Sequence, residues 1–525
     1  MKKNFVLMLF LFSCAHKDPK FDPKSLATHV KVLSSDEFEG RAPNSAGEEK
    51  TIEYIVSEFT KAGLSPGGEW ENGKRLWTQK VPLIETSFEG PVNSSLFIKG
   101  NKKLKLEQGN DIAIRATADM NIKNAPIVFV GFGVKASELN WDDFKGIDLR
   151  GKIALVLIND PDFGTENPGK FGGKAMTYYG RWTYKFEQMK RLGALGTMII
   201  HEKAPASYGW DTVKNSNTNK MFSVISTTNF ESWIQLELAK KMFQASNLDF
   251  ENMKKLAQSE EFTPMELKGV KFNTSFKVKN DTVLSYNVLG IKSGIQRPQE
   301  VIAFSGHWDH LGVDEKSKAK DRIFNGAIDN ATGISSIIEL AKKFGQRNDL
   351  DRSILFLAVT AEERGLLGSQ YYVENPVYPL SKTVSVINLD ALSPGEISEN
   401  FKTTGNIKQD LQDLLIEKAK KFGVNFTPDS KLENGYFYRS DHFSFAKAGV
   451  PAISFSSGTS KYMNSEEYTE KRYHQVGDEY DPAWSFTGMA RDLEIIFEVV
   501  LDLSKSTYWP NWGVGTEFRA IRDKS

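Results

Sequence analysis

Five short stretches of this chain place histidine and carboxylate side chains where they could act together. GHWDHLG supplies His307, Asp309 and His310; NGAIDNATG supplies Asp329; LAVTAEERGLLG supplies Glu362 and Glu363; INLDA supplies Asp390; and RYHQVGDEYD supplies His474. Histidine nitrogen with carboxylate oxygen and no thiolate is a donor set for zinc in a catalytic site, with cobalt or manganese as substitutes. Two adjacent glutamates on a tight turn repel each other unless a cation compensates them. Taken singly each signal is weak, because a His-x-Asp pair is ordinarily hydrogen-bonded and a Glu-Glu step is ordinarily a solvated face. Two ions in one site need a shared carboxylate, and Asp329 is the natural candidate.

The elements that must position these residues repeat one arrangement. VIAFSG ends just before His307, ILFLAVTA just before Glu362 and SVINL just before Asp390, so each apolar run delivers a polar residue at its carboxyl end. Ligands of open parallel α/β sheets bind outside the carboxyl ends of the strands, which would bring these distant residues to one cleft. After about Thr274 strand, loop and helix alternate regularly, predicting a mostly parallel or mixed central sheet with helices on both faces. A helix is expected from near Thr332, with an apolar stripe of Ile334, Ile337, Ile338, Ala341 and Phe344. Upstream, Ser45 and Glu48 have capping-box spacing ahead of an amphipathic helix from Ala46 to Ala62. Between the two lies a segment of different texture: APIVFVGFGV, GKIALVLIND and GTMIIHE are short β-rich runs bounded by glycine, with a helical stretch at Tyr184 to Leu192. This predicts an inserted β-rich α+β unit with its own core.

At 525 residues the chain is long enough for more than one domain. Lysine plus arginine and aspartate plus glutamate are both 67, so no net field attracts nucleic acid. The N-terminus reads as a secretory signal: Lys2 and Lys3 precede the apolar stretch Phe5 to Phe12, too short to span a bilayer. The only cysteine, Cys14, closes that stretch in LFSC, which resembles the bacterial lipobox. Lipidation at Cys14 would anchor an exported chain in the cell envelope, and Ala15 after it favours the outer membrane or cell surface by analogy. KDPKFDPK then reads as a tether. The organisation expected is a lipoprotein signal peptide over 1–14, a tether over 15–24, a first catalytic part over 25–119, an insertion over 120–265 and a second catalytic part over 266–525.

The order of the motifs is more specific than any one of them. His-x-Asp, Gly-Ala-x-Asp-Asn, Glu-Glu, Asn-x-Asp, Ser-Asp-His and Tyr-His, separated by glycine-rich loops, together resemble the co-catalytic zinc aminopeptidases. That family includes the bacterial leucyl aminopeptidases and aminopeptidase S, and its relatives are the glutamate carboxypeptidases and glutaminyl cyclases. The resemblance covers Ala27 to Ala118 and Phe272 to Leu503. It implies two zinc ions, one held by His307 and Asp390 and the other by Glu363 and His474, with Asp329 bridging. It also implies Glu362 as general base and Asp309 as the carboxylate that orients His307. GYFYRSDHFSF offers Tyr438 or Tyr436 to polarise the tetrahedral intermediate, although Phe437 holds the expected spacing; His310 and His442 are expected in structural hydrogen bonds. The insertion, on GKIALVLIND and LGALGTMIIHE, resembles a protease-associated domain.

A water bridging two divalent ions loses its proton near neutral pH, the ions lowering its pKa from about 15.7 toward about 7. Glu362 would take that proton and pass it to the leaving amine. The expected activity is release of N-terminal residues from peptides. Alternatives are a carboxypeptidase of the glutamate carboxypeptidase type, with Arg364, Arg439 and Arg472 close to the motifs, a glutaminyl cyclase, or a receptor-like protein without chemistry. Oligomeric state, side-chain preference and any role for Arg41 in FEGRAPNSAG are not legible here.

Overall fold

The computed structural model describes residues 21–98, 102–165, 169–218, 221–224, 230–314, 317–405, 407–457, 468 and 471–524. The signal segment, the tether up to Lys20 and Cys14 therefore lie outside the described residues. Among the described residues no helix is long and apolar enough to cross a membrane.

The larger sheet has ten strands and a parallel centre. Arg297–His307 lies between Arg352–Val359 and Thr383–Asn388, parallel to both, and Thr383–Asn388 pairs in parallel with Ala452–Ser457. Antiparallel neighbours extend both sides: Val278–Lys292 and Thr78–Phe88 beyond Arg352–Val359, and Asn400–Thr403 beyond Ala452–Ser457. The central strands are buried over Val301 to His307, Arg352–Val359 and Thr383–Asn388 because both faces are covered. Ile302 and Phe304 meet Ile337 and Phe344 of the helix Thr332–Gly345 in one core. Val301, Ala303, Leu355 and Leu357 meet Tyr372 and Phe445, from the helices Leu367–Glu374 and His442–Lys447, in the other.

Register levels the strand ends. His307 is opposite Val359, so Glu362 and Glu363 emerge just past it, and Asn388 is opposite both Ser305 and Ser454, two residues before Asp390. The helix Ala46–Lys61 is capped by Ser45, whose side chain accepts the Glu48 N–H. Glu48 does not close a reciprocal capping box. Its carboxylate accepts from the Asn44 N–H and the Ser285 hydroxyl, and burial pushes it up to about 7.

The second sheet has eight strands, ordered Lys102–Leu106, Asn93–Ile98, Met265–Phe276, Met120–Phe129, Ile153–Leu157, Gly196–His201, Phe230–Gln235 and Ile112–Arg115. It has its own apolar clusters on its two faces. Its strands begin at Asn93 and end at Phe276, so it reaches past the 120–265 segment of distinct texture on both sides. The two units touch near residues 432–447: Tyr178 packs on Tyr438 and Phe443, and Lys447 pairs with Glu187 at 2.7 Å.

Candidate metal centre

The ends of the central strands do converge. His307 Nε2 lies 3.2 Å from Asp329 Oδ1 and 3.3 Å from Asp390 Oδ1, while His474 Nε2 lies 3.3 Å from Asp329 Oδ2 and 3.1 Å from Glu363 Oε2. One carboxylate thus faces two histidines, one from each oxygen. Three groups, His307–Asp329–Asp390, His307–Glu362–Glu363 and His310–Asp329–Glu363, each offer ligand atoms within 4.8 Å of one another. His310 is closer to this cluster than a remote structural role implies, its Nδ1 being 2.6 Å from Glu363 Oε1. His442, by contrast, is fully buried against Phe437 at 4.7 Å and belongs to none of these three groups. Its burial pushes the imidazole down to about 3.

The donor set fits divalent ions of the zinc type. It is nitrogen and carboxylate oxygen throughout, and among the described residues Asp309 Oδ2 is buried without a hydrogen-bond donor while Glu363 Oε1 faces the His310 ring nitrogen. Burial alone would raise Asp329 and Glu363. The neighbouring histidines outweigh it, holding Asp329 well below the usual carboxylate range and Glu363 at about 2. Glu362 goes the other way: burial, with Asp390, Glu363 and Asp441 close by and only His307 opposing, pushes it well above that range. Adjacent glutamates are therefore set apart, one held as an anion and one poised to carry a proton.

Main-chain bonds hold the ligand loops together. Asn330 Nδ2 donates to the His307 and Leu389 carbonyls, and its Oδ1 accepts from Gly333 and Ala391, which ties the loops of His307, Asp329 and Asp390. Asp478 accepts the N–H groups of Ile328 and Asp329. Arg41, 1% exposed, donates to four carbonyls: Trp308, Leu33, Asn325 and Gly326. Asp390 Oδ2 accepts from the Ser440 hydroxyl, which in turn accepts from Asn388. Asp309 works differently from the expected carboxylate–histidine pair. His307 Nδ1 lies 3.0 Å from the Asp309 carbonyl and 3.7 Å from its Oδ1, and that carboxylate accepts the Glu362 N–H at 3.0 Å. Ala361, Ala391 and His474, next to or among the candidate ligands, adopt left-handed backbone, the strained geometry that clusters at functional sites.

Tyrosine placement corrects the sequence reading. Tyr438 is buried with Phe437, Phe443, Trp512 and Phe518, and the charged groups acting on it are Glu517, Asp160 and Arg181, none of them a candidate ligand. Tyr436 is 42% exposed and accepts from Asn434. Phe437 holds the expected spacing because it fills this aromatic cluster, to which the C-terminal Trp512 belongs. The tyrosine beside the cluster is Tyr473. It stacks on His474 at 3.9 Å, and Asp329, Glu363, Glu362 and Asp390 all act on it. Its signal in the sequence was adjacency to His474. Of the three arginines near the motifs, Arg364 lies over Phe222, Arg439 donates to Ser207, and Arg472 acts on Glu479.

Residues 287–498 match the model of peptidase family M28. That span contains every candidate ligand and Glu362. Among curated proteins the chain is 28% identical over 215 residues to a probable leucine aminopeptidase 2 of Aspergillus oryzae, covering 40% of this chain and 41% of that one. It is 29% identical over 178 residues to aminopeptidase YwaD of Bacillus subtilis, covering 34% and 32%. The matched stretches thus span less than half the length of these relatives. Across the whole fold, the aminopeptidase from Aneurinibacillus sp. strain AM-1 superimposes with a TM-score of 0.52 at 19% identity, covering 93% of this chain and 96% of that one. The mixed α/β fold, with its second β-rich unit, is similar to that of this aminopeptidase.

Proposed function

We propose that this chain is a zinc-dependent aminopeptidase with two ions, hydrolysing the N-terminal residue from peptides. The observation that carries the reading is Asp329, whose two oxygens face His307 and His474 separately, as a bridging ligand requires. His307 and Asp390 would hold one ion, Glu363 and His474 the other. Ions bound there polarise a peptide carbonyl and lower the pKa of a water to about 7.

The chain's own residues do the rest. Glu362 would take the proton of the attacking water and return it to the departing amine. Asp309 fixes both partners, holding the Glu362 main chain with its carboxylate and His307 Nδ1 with its carbonyl. Tyr473, stacked on His474, would supply a hydroxyl donor to the oxygen that gains charge. The eight-stranded unit, which we read as a protease-associated domain, contacts the catalytic unit through Tyr178 and Ser207. The retained ligand set weighs against a receptor-like or cyclase reading, and the placement of Arg364 and Arg472 weighs against the carboxypeptidase one.

The test is hydrolysis of free and N-acetylated peptides by the zinc-loaded chain, with and without chelator. Turnover restricted to free amines and abolished by chelation supports the proposal; cleavage of acetylated peptides from the other end refutes it. We also propose export and lipid anchoring at Cys14, on LFSC. Cys14→Ser is then expected to move the protein from the membrane fraction to the soluble fraction, and an unchanged distribution would count against the anchor.

A further inference from the structure

Glu48 has the spacing of a capping-box residue, yet its side chain reaches out of its own helix and into the sheet. It lies in the first turn of Ala46–Lys61 and is 3% exposed. Its Oε2 accepts the Asn44 N–H, and its Oε1 accepts the Ser285 hydroxyl at 2.7 Å, from a residue 237 positions further along the chain. Ser285 lies on Val278–Lys292, and its Oγ is 2.6 Å from Oγ1 of Thr360, which directly follows the neighbouring strand Arg352–Val359. Ser285 has one hydroxyl proton and gives it to Glu48, so Thr360 is the donor to Ser285. A line of hydrogen bonds thus runs from Thr360 through Ser285 and ends on the carboxylate. Ser285 and Thr360 are both fully buried.

Capping alone does not call for this burial, because an acidic residue in a first helical turn does the same work at the surface, solvated by water. Burial raises the Glu48 carboxyl to about 7, the charged group acting on it is Asp309, and among the described residues no cation pairs with it. A carboxylate buried without a counter-ion is costly, and its hydrogen bonds must offset that cost. The far end of the line shows what those bonds hold. Thr360 stands two residues before Glu362; its N–H donates to Asn287 Oδ1 and its carbonyl accepts the Gly368 N–H. Ala361 follows at a φ of 53°, in left-handed backbone, and the Glu362 N–H then meets the Asp309 carboxylate. Thr360 is therefore fixed on three sides just before the strained step that aims both glutamates.

We propose that Glu48, acting through Ser285 and Thr360, is a positioning residue for the turn that carries Glu362 and Glu363. One N-terminal stretch then holds three loops of the site: Arg41 those next to His307 and Asp329, and Glu48 the glutamate turn. The inference deepens the aminopeptidase reading and rests on it for the part that Glu362 plays in turnover.

Glu48→Gln, Ser285→Ala and Thr360→Val each remove one link with little change of shape. The glutamine amide has a single acceptor oxygen, so it cannot meet both the Asn44 N–H and the Ser285 hydroxyl as the carboxylate does. In the full zinc-loaded chain each variant is expected to lower kcat on leucine p-nitroanilide by about tenfold, with KM changed by less than about twofold, because small misplacements of a reacting group act on the chemical step. Glu48→Gln combined with Thr360→Val should lose no more than either alone, since the links act as one unit. Losses that multiply in the double variant, or that fall on KM instead of kcat, overturn the proposal. Amide hydrogen exchange, followed by mass spectrometry without substrate, reads the same line independently of turnover. Residues 359–366 should exchange about tenfold faster in Glu48→Gln and in Thr360→Val, with Ala46–Lys61 unchanged. Exchange that leaves the turn as it was, or that spreads to the helix, makes Glu48 a helix cap and overturns the proposal. Faster exchange confined to the turn, in a protein that hydrolyses no peptide, leaves the positioning role standing and removes the aminopeptidase reading. Should Glu48→Gln fail to fold, Ser285→Ala and Thr360→Val carry the same test between them.

Discussion

Each of the two units buries a cluster of charges, and the clusters are balanced in opposite ways. In the eight-stranded unit, Asp143 accepts from the Val134 N–H and the Trp141 indole, Asp160 accepts twice from Thr177, and fully buried Lys185 stands beside both. Every member has an internal partner. At the strand ends of the larger sheet, Asp309, Asp329, Glu362, Glu363, Asp390, Asp441 and Asp478 gather around His307, His310, His474 and the permanent cations Arg41 and Arg364. A self-compensated cluster holds a fold together; a cluster short of positive charge is built to take cations from outside.

The sharpest way to probe that contrast is Glu362→Gln. Loss of the proton carrier is expected to lower kcat by about 10²–10⁴-fold. Removing one of several crowded negative charges should leave the melting temperature equal or higher, and a lowered one would mean that Glu362 is structural. Lys185→Met should do the reverse. It strips the balanced cluster of its only cation, at a cost of about 3–5 kcal/mol in denaturant unfolding, while the folded fraction keeps its kcat.

Arg41→Met touches the metal site through the backbone alone. Its four carbonyl partners include those of Trp308 and Gly326, beside His307 and near Asp329, so zinc affinity is expected to fall about 10–100-fold, read by competition with a chelator. The smallest effect concerns pH. His442 is held neutral by burial, with its folded pKa at about 3 against the ordinary 6.5. Its contribution to stability is therefore complete above 6.5 and is lost as the pH falls toward 3, because the unfolded chain binds the proton first. Between pH 6.5 and 5 the wild type should lose about 2 kcal/mol more than His442→Leu, measured by urea unfolding.

These same residues mark what a single sequence discloses. His307, Glu363 and Asp390 were legible because apolar runs end just before them, and a ligand type at a strand end is a local pattern. Arg41, Asn330 and Asp478 were not, since they bind main-chain atoms far along the chain and such bonds leave no spacing. Arg41 was visible only as part of a recurring segment without a role. Tyr438 lies close to Ser-Asp-His in sequence, yet the turn Tyr436–Tyr438 sends its ring into an aromatic cluster shared with Trp512. The eight-stranded sheet begins earlier than the sequence indicates because Asn93–Ile98 and Lys102–Leu106 are rich in serine and lysine, without the long apolar runs that mark its centre.

The bonds of Arg41 and Asp478 also set a timetable. Arg41 is made early in synthesis and Asp478 among the last fifth of the chain, yet both clamp the loop that carries Asp329. A chain that leaves the ribosome N-terminus first cannot assemble its candidate metal centre until almost all of it has arrived. Premature termination anywhere before His474 leaves that centre without one of the two histidines that face Asp329.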